Sequence, residues 1–257
     1  MDQVDILGIR VTSCSKEQLN QYICGVIAAK RKECIPNVNI YCMNLCYTNK
    51  WLRAFLNSSE LAFCDGDGVR LGAWMVGRQI EEKITYNRWI WDIAEMSASK
   101  EWSWYLLGSR PEAIESAVKT LERRYPDLRI VGFHSGYIKS KLEEEAVVAE
   151  INKSLPNILI VGMGMPLQEH WLMEHMSHLN VNVALTGGAV FDYLGGMIKR
   201  PPDILYKMKM EWLFRLVRSP RRLFGRYIIG NPLFLWRVIM YHWLHVRPRQ
   251  EAPIGVE

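Results

Sequence analysis

Two carboxylates one residue apart, Asp65 and Asp67, are the side chains in this sequence most clearly suited to chemistry. Held in one turn, the pair could share a Mg²⁺ or Mn²⁺ on a nucleotide diphosphate, because hard divalent cations prefer oxygen ligands. Alternatively, Asp65 alone could act as a general base at the end of a strand, while Asp67 caps the helix that follows. The residues by themselves leave both interpretations open.

Short loops, most of them containing glycine, follow the apolar segments that we predict to be strands. Glycines let a backbone approach a ligand closely, and the helix starts after them offer free N–H groups to phosphate oxygens. Each loop alone is compatible with an ordinary turn, but their number favours an anionic, nucleotide-like ligand. The loops are Cys42-Met43-Asn44, Asp65-Gly66-Asp67-Gly68, Gly108-Ser109-Arg110, His134-Ser135-Gly136-Tyr137, Gly162-Met163-Gly164-Met165-Pro166 and Thr186-Gly187-Gly188.

Polar residues at two predicted helix starts are further candidates for ligand binding. Gln168 could donate hydrogen bonds to a phosphate or a sugar, and Glu169 suits the first turn of a helix dipole. Phe191 and Asp192 could stack on a base and bind a ribose, although packing in the core is the default for Phe191. An ordinary helix start explains Gln168 and Glu169 equally well.

Apolar segments alternate with amphipathic ones along the first 197 residues. The predicted strands are 4–11, 39–42, 61–64, 103–107, 129–133, 157–161 and 181–185, and the predicted helices are 15–32, 88–99, 111–124, 141–154 and 168–178. Alternating strands and helices indicate βαβ units. We therefore predict an α/β, Rossmann-like fold with a doubly wound, mainly parallel sheet, in which ligands bind beyond the carboxyl ends of the strands.

The composition is that of a globular protein. The chain has 257 residues, of which 49% are hydrophobic and 23% charged. A mean hydropathy near zero excludes a protein that crosses the membrane many times. No basic segment opens the chain, so we expect no secretory signal. The six cysteines contain no CxxC pair, which favours reduced, cytosolic thiols.

The C-terminal segment differs from the rest of the chain. Residues 199–257 hold 12 of the 32 Lys and Arg but 4 of the 27 Asp and Glu, a net charge of +8. Basic and aromatic residues interleave there, which suits helices on an anionic membrane, a nucleic-acid surface, or helices packed on the body. The apolar run 233–246 is 14 residues long, whereas a spanning helix needs about 20. We predict a catalytic domain at 1–197 and a helical, membrane-binding appendage at 198–257.

Several of these motifs, in this order, closely resemble the WecG/TagA/CpsF family of bacterial glycosyltransferases. The most similar runs are 162–171 (GMGMPLQEHW), 186–200 (TGGAVFDYLGGMIKR) and 211–232 (EWLFRLVRSPRRLFGRYIIGNP). The DGDG loop at Asp65 and the Cys42-Met43-Asn44 loop are matched to the family's DGxG and TxN loops. The resemblance implies a Rossmann-like, inverting glycosyltransferase that uses a UDP-sugar. In the best-known members, N-acetylmannosamine passes to a polyprenyl-diphosphate-linked sugar during cell-surface polysaccharide and cell-wall synthesis.

The resemblance also implies roles for individual residues. Asp65 matches the general base for the acceptor hydroxyl, and Gln168 matches an active-site glutamine. The positions matched around the nucleotide and donor are Cys42, Asn44, Gly136, Tyr137, Gly187, Gly188, Phe191 and Asp192. Arg215, Arg222 and Arg226 fall in the appendage that is expected to dock on the membrane and neutralise the acceptor diphosphate.

By the same resemblance, no divalent metal or other cofactor is expected, because the family's residue at Asp67 is variable. Two departures concern the substrates: Cys42 stands where the family has threonine, and Tyr86-Asn87-Arg88 replaces a Gly-x-Asp. A donor such as UDP-glucose, or a uronic acid whose carboxylate pairs with Arg88, is therefore an alternative to UDP-N-acetylmannosamine.

The implied partners are the UDP-sugar, the lipid-linked acceptor and an anionic membrane surface, with no nucleic acid. The location is then the cytoplasmic face of the cell membrane, and self-association through the body is an expectation. The non-enzymatic alternative is a nucleotide-binding scaffold or regulatory protein whose tail binds membrane or nucleic acid.

Overall fold

Strands of two adjacent sheets carry the loops of interest in a computed structural model of the chain, which describes residues 1–244. The strands are β1 (Asp2–Ile6), β2 (Ile9–Ser13), β3 (Glu33–Ile35), β4 (Asn37–Val38), β5 (Phe63–Cys64), β6 (Ser103–Gly108), β7 (Arg129–His134), β8 (Ile158–Gly162) and β9 (Val183–Thr186). One sheet has the order β1-β2-β5-β4, and the other has the order β3-β9-β8-β6-β7. Apart from the antiparallel hairpin β1-β2, all neighbours among these strands are parallel.

Helices cover both sheets and form the C-terminal segment. They are α1 (Lys16–Ala28), α2 (Ile40–Thr48), α3 (Lys50–Ser58), α4 (Asp67–Met75), α5 (Tyr86–Ser99), α6 (Pro111–Arg124), α7 (Lys141–Ser154), α8 (Leu167–His175), α9 (Val190–Leu194), α10 (Asp203–Lys207), α11 (Glu211–Arg218), α12 (Pro220–Phe224) and α13 (Gly230–His242), with a π-helical turn at Gly225–Ile229. The mixed, mainly parallel α/β architecture predicted from the alternating pattern is confirmed.

The expectation of a single sheet is wrong, because the chain changes sheets at Pro36. Ile35 pairs with Leu185 in the five-stranded sheet, whereas Asn37 pairs with Phe63 in the four-stranded one. Proline has no N–H to donate to a ladder, so it suits the point where pairing stops on one side and starts on the other. The two sheets therefore meet at this point of the chain.

The predicted strand at 39–42 is also wrong, because Asn39 is the N-cap residue of α2 and residues 40–42 form its first turn. The strand ends at Val38, and the Asn39 side chain accepts a hydrogen bond from the Cys42 N–H (3.0 Å), which is the usual N-cap arrangement. Short apolar runs fit a strand or a buried helix equally well, which explains the error. The predicted strand at 4–11 is a hairpin that turns at Leu7-Gly8.

The C-terminal helices pack against the rest of the chain. Phe234 and Val238 on α13 are fully buried, and Phe234 fills the space beside Gly72, where a Cβ atom would lie 2.7 Å from its ring. The indole of Trp243 donates to the carbonyl of Met75 (3.2 Å). The helical character predicted for the tail is confirmed as far as residue 244, whereas the domain boundary at 197/198 stays a prediction.

The last part of the predicted appendage, residues 245–257, lies outside the described residues, as does Val246 at the end of the apolar run. Among residues 1–244, none of the helices combines the length and the apolar character that crossing a bilayer requires.

Candidate active site

Asp65 lies where two neighbouring parallel strands end. It follows β5, and its N–H donates to the carbonyl of Val38 at the end of β4 (2.8 Å). Its carboxylate Oδ2 accepts a hydrogen bond from Asn37 Nδ2 at 2.9 Å. The loop between β5 and α4 thus presents Asp65 at the carboxyl edge of the sheet, where ligands of α/β proteins bind.

The Asn37 amide has a fixed orientation. Thr186, at the end of β9, accepts from the Asn37 backbone N–H (2.9 Å) and donates its hydroxyl hydrogen to Asn37 Oδ1 (2.8 Å). Because an ionised carboxylate has no hydrogen to donate, the NH₂ group of the amide faces Asp65 and Oδ1 faces the Thr186 hydroxyl. Asn37 therefore connects the two sheets and orients the carboxylate.

The electrostatic environment of Asp65 suits a base. Removal from solvent raises the pKa of the Asp65 carboxyl, while the hydrogen bond from Asn37 and the guanidinium groups of Arg215 and Arg226 act in the opposite direction. A carboxylate with a raised pKa accepts protons more readily near neutral pH than an ordinary aspartate does. The arrangement is chemically competent for general-base catalysis.

Asp67 has a different partner. Its Oδ2 lies 2.7 Å from Nζ of Lys83, which also lies 3.4 Å from Oε2 of Glu211. Burial opposes the charge of Lys83, but the hydrogen bond that Lys83 donates to Asp67, together with the charges of Asp67 and Glu211, raises the pKa of its ammonium group. The two carboxylates of the DGDG loop thus serve separate partners, Asn37 and Lys83, rather than one shared centre.

A second group of possible cation ligands lies elsewhere in the chain. One carboxylate or imidazole atom from each of Glu144, Glu174 and His175 lies within 4.8 Å of the others. The imidazole of His175 already contacts the Glu144 carboxylate at 3.0 Å. Within residues 1–244, the hydrogen bond between His175 and Glu144 is enough to explain why these side chains lie together.

Two cavities meet at Asp65. The glycine-loop cavity, of about 1500 Å³, is lined by the ends of the five-stranded sheet and the loops after them, including Ser109, Arg110, Gly136, Tyr137, Gly162, Gly164, Gly187, Gly188 and Asp192. The aromatic cavity, of about 1000 Å³, is lined by Ile40, Asp67, Leu71, Trp74, Lys83, Trp212 and Leu235 among others. Both cavities share Asn39, Tyr41, Asp65, Thr85, Asn87, Arg215 and Arg226.

Gln168 is buried beneath two of the glycine loops that line the glycine-loop cavity. Its side chain is fully buried, and Oε1 accepts from the backbone N–H groups of Gly188 (2.9 Å) and Gly164 (3.2 Å). Its Nε2 donates to Glu169 Oε1 at 2.7 Å. Gln168 therefore fixes two glycine loops relative to each other and does not itself line the cavity.

The far end of the glycine-loop cavity combines a carboxylate with an exposed ring. Ser109 donates its hydroxyl to Asp192 Oδ1 (2.6 Å), which orients that carboxylate, and Tyr137 is 60% exposed. A side chain at Gly108 would overlap the carbonyl of Gly162, so only glycine lets these strands end so close together. A carboxylate for hydroxyl groups and a ring for stacking suit a nucleoside.

Arginines of the C-terminal segment line both cavities. Arg215 and Arg226 line each of them, and Arg222 lines the glycine-loop cavity. The guanidinium of Arg226 lies 4.7 Å from the Tyr41 ring centre, and that of Arg215 lies 5.8 Å from the Tyr193 ring centre. The tail thus brings positive charge to the place where the body has its carboxylate.

Comparison with known proteins decides the family. The model of the glycosyl transferase WecG/TagA/CpsF family matches residues 4–248, which is most of the chain. The chain belongs to this family. Proteins of Staphylococcus aureus strains MW2, NCTC 8325 and COL are each 27% identical to it over 238 residues, which is 92% of both chains. Each is named N-acetylglucosaminyldiphosphoundecaprenol N-acetyl-beta-D-mannosaminyltransferase.

Three residues matched by resemblance to the family's donor site do not line either cavity. Cys42 is fully buried on α2, and Phe191 is fully buried below Gly162. Asn44 donates to the carbonyl of Gly230 (2.7 Å) and accepts from Arg237 (2.9 Å), so it holds the tail. Cys42 and Asn44 do not follow a strand end, because they lie within α2. Phe191 follows a strand end as expected, but its side chain points into the core.

The polar residues at the true strand end are Asn37 and Asn39, which sequence reasoning missed. Both line the glycine-loop cavity, and they flank Val38 immediately before the apolar run of α2. The sequence contains a signal for this strand end, namely two asparagines on either side of one apolar residue. Asparagine is a frequent N-cap residue, so it indicates that a helix begins directly after Asn39. Asn37-Val38-Asn39 therefore holds the position that we assigned to Cys42-Met43-Asn44.

Arg88 was expected beside the sugar, but the structure places it against the tail. Its Nη2 pairs with Asp203 Oδ1 at 2.7 Å, and its guanidinium stacks 3.9 Å from the centre of the Tyr206 ring. Lys83 lies on the same ring at 4.1 Å. Arg88 is not part of either cavity lining and instead connects α5 to α10.

Proposed function

We propose that this chain transfers a sugar from a UDP-sugar to a sugar on polyprenyl diphosphate, with inversion at the anomeric carbon. The observation that supports this most strongly is the position of Asp65 at the junction of two cavities of different character. A general base must reach both the attacking hydroxyl and the carbon under attack, and the junction of a donor cavity and an acceptor cavity provides this.

The glycine-loop cavity suits the nucleotide. Gly187 and Gly188 follow the end of a parallel strand and, having no side chains, let a ligand approach the backbone closely, and Arg221 and Arg222 line the same space. Arginine binds phosphate oxygens with two parallel hydrogen bonds, which suits a diphosphate. Asp192 and Tyr137 remain for the ribose and the base.

The aromatic cavity suits a lipid-linked acceptor. Its walls include the apolar side chains of Leu71, Trp74, Trp212 and Leu235, and the guanidinium residues Arg215 and Arg226 line it as well. Apolar walls fit the first isoprene units, and cations fit the diphosphate that joins them to the sugar. The Staphylococcus aureus relatives are named for an acceptor of this kind.

The mechanism follows from these positions. Asp65 takes the proton of the acceptor hydroxyl while the hydroxyl oxygen bonds to the anomeric carbon. The bond between that carbon and the phosphate oxygen breaks on the opposite face, and UDP leaves with the electron pair. Arg215 and Arg226 stabilise the negative charge of UDP, the role of a metal ion in other transferases. Asp67 is held by Lys83, which supports a metal-independent reaction.

The outward face of α13 suits docking on the cytoplasmic face of a bacterial membrane. Pro232, Trp236, Ile239 and Trp243 are exposed, recur at helical spacing and carry no charge. Arg237 of the same helix turns inward to Asn44. Tryptophans favour the headgroup level of a bilayer. Leu235 of the same helix lines the aromatic cavity, so docking through α13 would bring that cavity close to the lipid substrate.

A donor panel tests the proposed function. Wild-type protein is supplied with several UDP-sugars and a short-chain lipid-diphosphate acceptor, with and without EDTA, and product is measured by chromatography. We expect transfer from one UDP-sugar, unaffected by EDTA. An Asp65→Asn variant should lose at least about 100-fold in turnover and keep its affinity for UDP, whereas Asp92→Asn, at a surface ion pair with Lys16, should change neither.

Other results would contradict the proposal. Inhibition by EDTA would show that a metal is needed, and full turnover by Asp65→Asn would place the base elsewhere. Absence of transfer from every donor, together with salt-dependent binding to random DNA, would favour a nucleic-acid-binding scaffold.

A further inference from the structure

Polar side-chain atoms of several residues that line the same cavities as Asp65 have no hydrogen-bond partner within the described part of the chain, and three of them are of interest here. They are Thr85 Oγ1, Asn87 Oδ1 and the hydroxyl of Tyr193, and all three are buried. Thr85 and Asn87 line both cavities, and Tyr193 lines the glycine-loop cavity. Buried polar atoms nearly always have partners, so a group of orphaned atoms at one cavity junction needs an explanation.

The local structure around Thr85 and Asn87 does not use these polar atoms for hydrogen bonding. Thr85 is the N-cap residue of α5, a position where a threonine usually accepts from the backbone, yet its side chain makes no capping bond. Asn87 lies in the first turn of the same helix. Tyr86 between them is anchored by the rings of Phe63 and Trp89, so the segment is held firmly against the junction.

Tyr193 approaches the junction from α9. Only 8% of the residue is exposed, and its ring lies under the guanidinium of Arg215. Burial raises the pKa of its hydroxyl, partly offset by Arg215. The hydroxyl therefore stays protonated and can both donate and accept a hydrogen bond.

We infer that Thr85, Asn87 and Tyr193 form the subsite for the transferred pyranose ring and bind its hydroxyl or acetamido groups. The inference rests on the proposed function, because an anomeric carbon within reach of Asp65 puts the sugar ring at this junction. A sugar O–H or amide N–H can donate to Asn87 Oδ1, while the two hydroxyl groups can donate to or accept from ring substituents. Arg88, the residue first expected here, is engaged with Asp203 instead.

Isosteric variants test this subsite. Thr85→Val and Tyr193→Phe each remove one polar atom and keep the shape of the side chain. We expect each to weaken binding of the productive UDP-sugar about tenfold, because one hydrogen bond to a buried group is lost. The affinity for UDP alone should not change. The melting temperature of the ligand-free protein should stay equal or rise, since the removed atoms bond to no described residue.

Matched controls carry the same chemical change where the hydroxyl has a partner. The Thr120 hydroxyl donates to the carbonyl of Ser116 (2.8 Å), and the Tyr125 hydroxyl donates to the carbonyl of Trp91 (3.1 Å). Thr120→Val and Tyr125→Phe should lower the melting temperature and leave UDP-sugar affinity unchanged. The opposite pattern in the two pairs of variants distinguishes a ligand subsite from a role in folding.

Two outcomes would overturn the inference while the proposed function stands. In the first, both junction variants bind the UDP-sugar as tightly as the wild type. In the second, they melt at lower temperature and lose UDP and UDP-sugar affinity equally, which is the behaviour of structural residues. Wild-type protein that neither binds UDP nor transfers sugar would instead refute the proposed function itself.

Discussion

Asn37 donates a hydrogen bond to Asp65 from the neighbouring strand, with 2.9 Å between Nδ2 and Oδ2. The hydroxyl of Thr186 holds the other end of the same amide. One oxygen of the Asp65 carboxylate is thereby occupied, which leaves the other for a substrate proton. The contact also stabilises the ionised form of Asp65, so it affects both the direction and the basicity of the carboxylate.

Replacement of Asn37 should therefore change the pH dependence of the reaction. In Asn37→Ala, the hydrogen bond that lowers the pKa of Asp65 is gone, so that pKa should rise further. The acidic limb of kcat/KM should move to higher pH, and activity should fall more at pH 6 than at pH 8. Asn152→Ala, where the side chain donates to the surface carbonyl of His178, should leave the profile in place. A uniform loss at every pH would show that Asn37 acts through folding alone.

Glu169 should make the stability of the fold depend on pH. Burial raises its pKa to about 7, although the hydrogen bond from Gln168 opposes this. In the unfolded chain the pKa of a glutamate is about 4.3. The stability of the fold is therefore highest below about pH 4, decreases as the pH rises between the two pKa values, and reaches its lower level above about pH 7. The loss of stability is on the order of 4 kcal/mol.

Glu169→Gln removes this titration and keeps an acceptor for Gln168. We measure the free energy of unfolding in urea at pH 4.5 and at pH 8. Relative to the wild type, the variant should be more stable at pH 8 than it is at pH 4.5. Glu174→Gln, on the same helix but half-exposed, should follow the wild type. Parallel curves for Glu169→Gln and the wild type would refute the assignment.

Arg88→Ala should loosen the tail without changing donor choice. It removes the ion pair with the exposed carboxylate of Asp203 and the stacking on the Tyr206 ring, both of which connect α5 to α10. We expect faster amide hydrogen exchange in α10, measured by mass spectrometry, and an unchanged ranking of UDP-sugars. Arg123→Ala on α6 serves as the control. If the variant lost activity only with a uronic-acid donor, Arg88 would have to contact the sugar after all.

Serine substitutions on α13 should weaken membrane binding. Trp236→Ser and Ile239→Ser remove exposed apolar groups, and each should reduce sedimentation with vesicles about tenfold, in neutral as well as anionic lipid. Leu142→Ser on α7 removes an apolar side chain that is even more exposed, and it should have no effect. Binding that depended only on anionic lipid and salt would show that charge, not the apolar face, holds the protein on the membrane.

The sequence was a good guide wherever a polar residue followed a clearly apolar strand. Asp65 comes directly after such a strand, and the glycine loops after β8 and β9 were located in the same way. The end of β4 was missed, because the run from Ile40 to Thr48 is apolar without a clear period. That one error moved the asparagine motif five residues along the chain.

Pairing between strands and the direction of side chains could not be predicted. The change of sheet at Pro36 depends on partners distant in sequence, namely Leu185 and Phe63. Arg88 and Asn87 are adjacent in sequence, yet one faces the tail and the other the cavity junction. Helical geometry turns successive residues by about 100°, so their roles depend on where the helix lies and not on residue type.

The contact between Gly72 and Phe234 has a consequence for how members of this family could exchange parts. A methyl group at position 72 would collide with the Phe234 ring, so neither position can be replaced without regard to the other. A tail grafted onto this body would have to fill the space beside Gly72 as the Phe234 ring does, whatever the match of its arginines. Steric fit at this one position is therefore a condition on such an exchange that is independent of the charge of the tail.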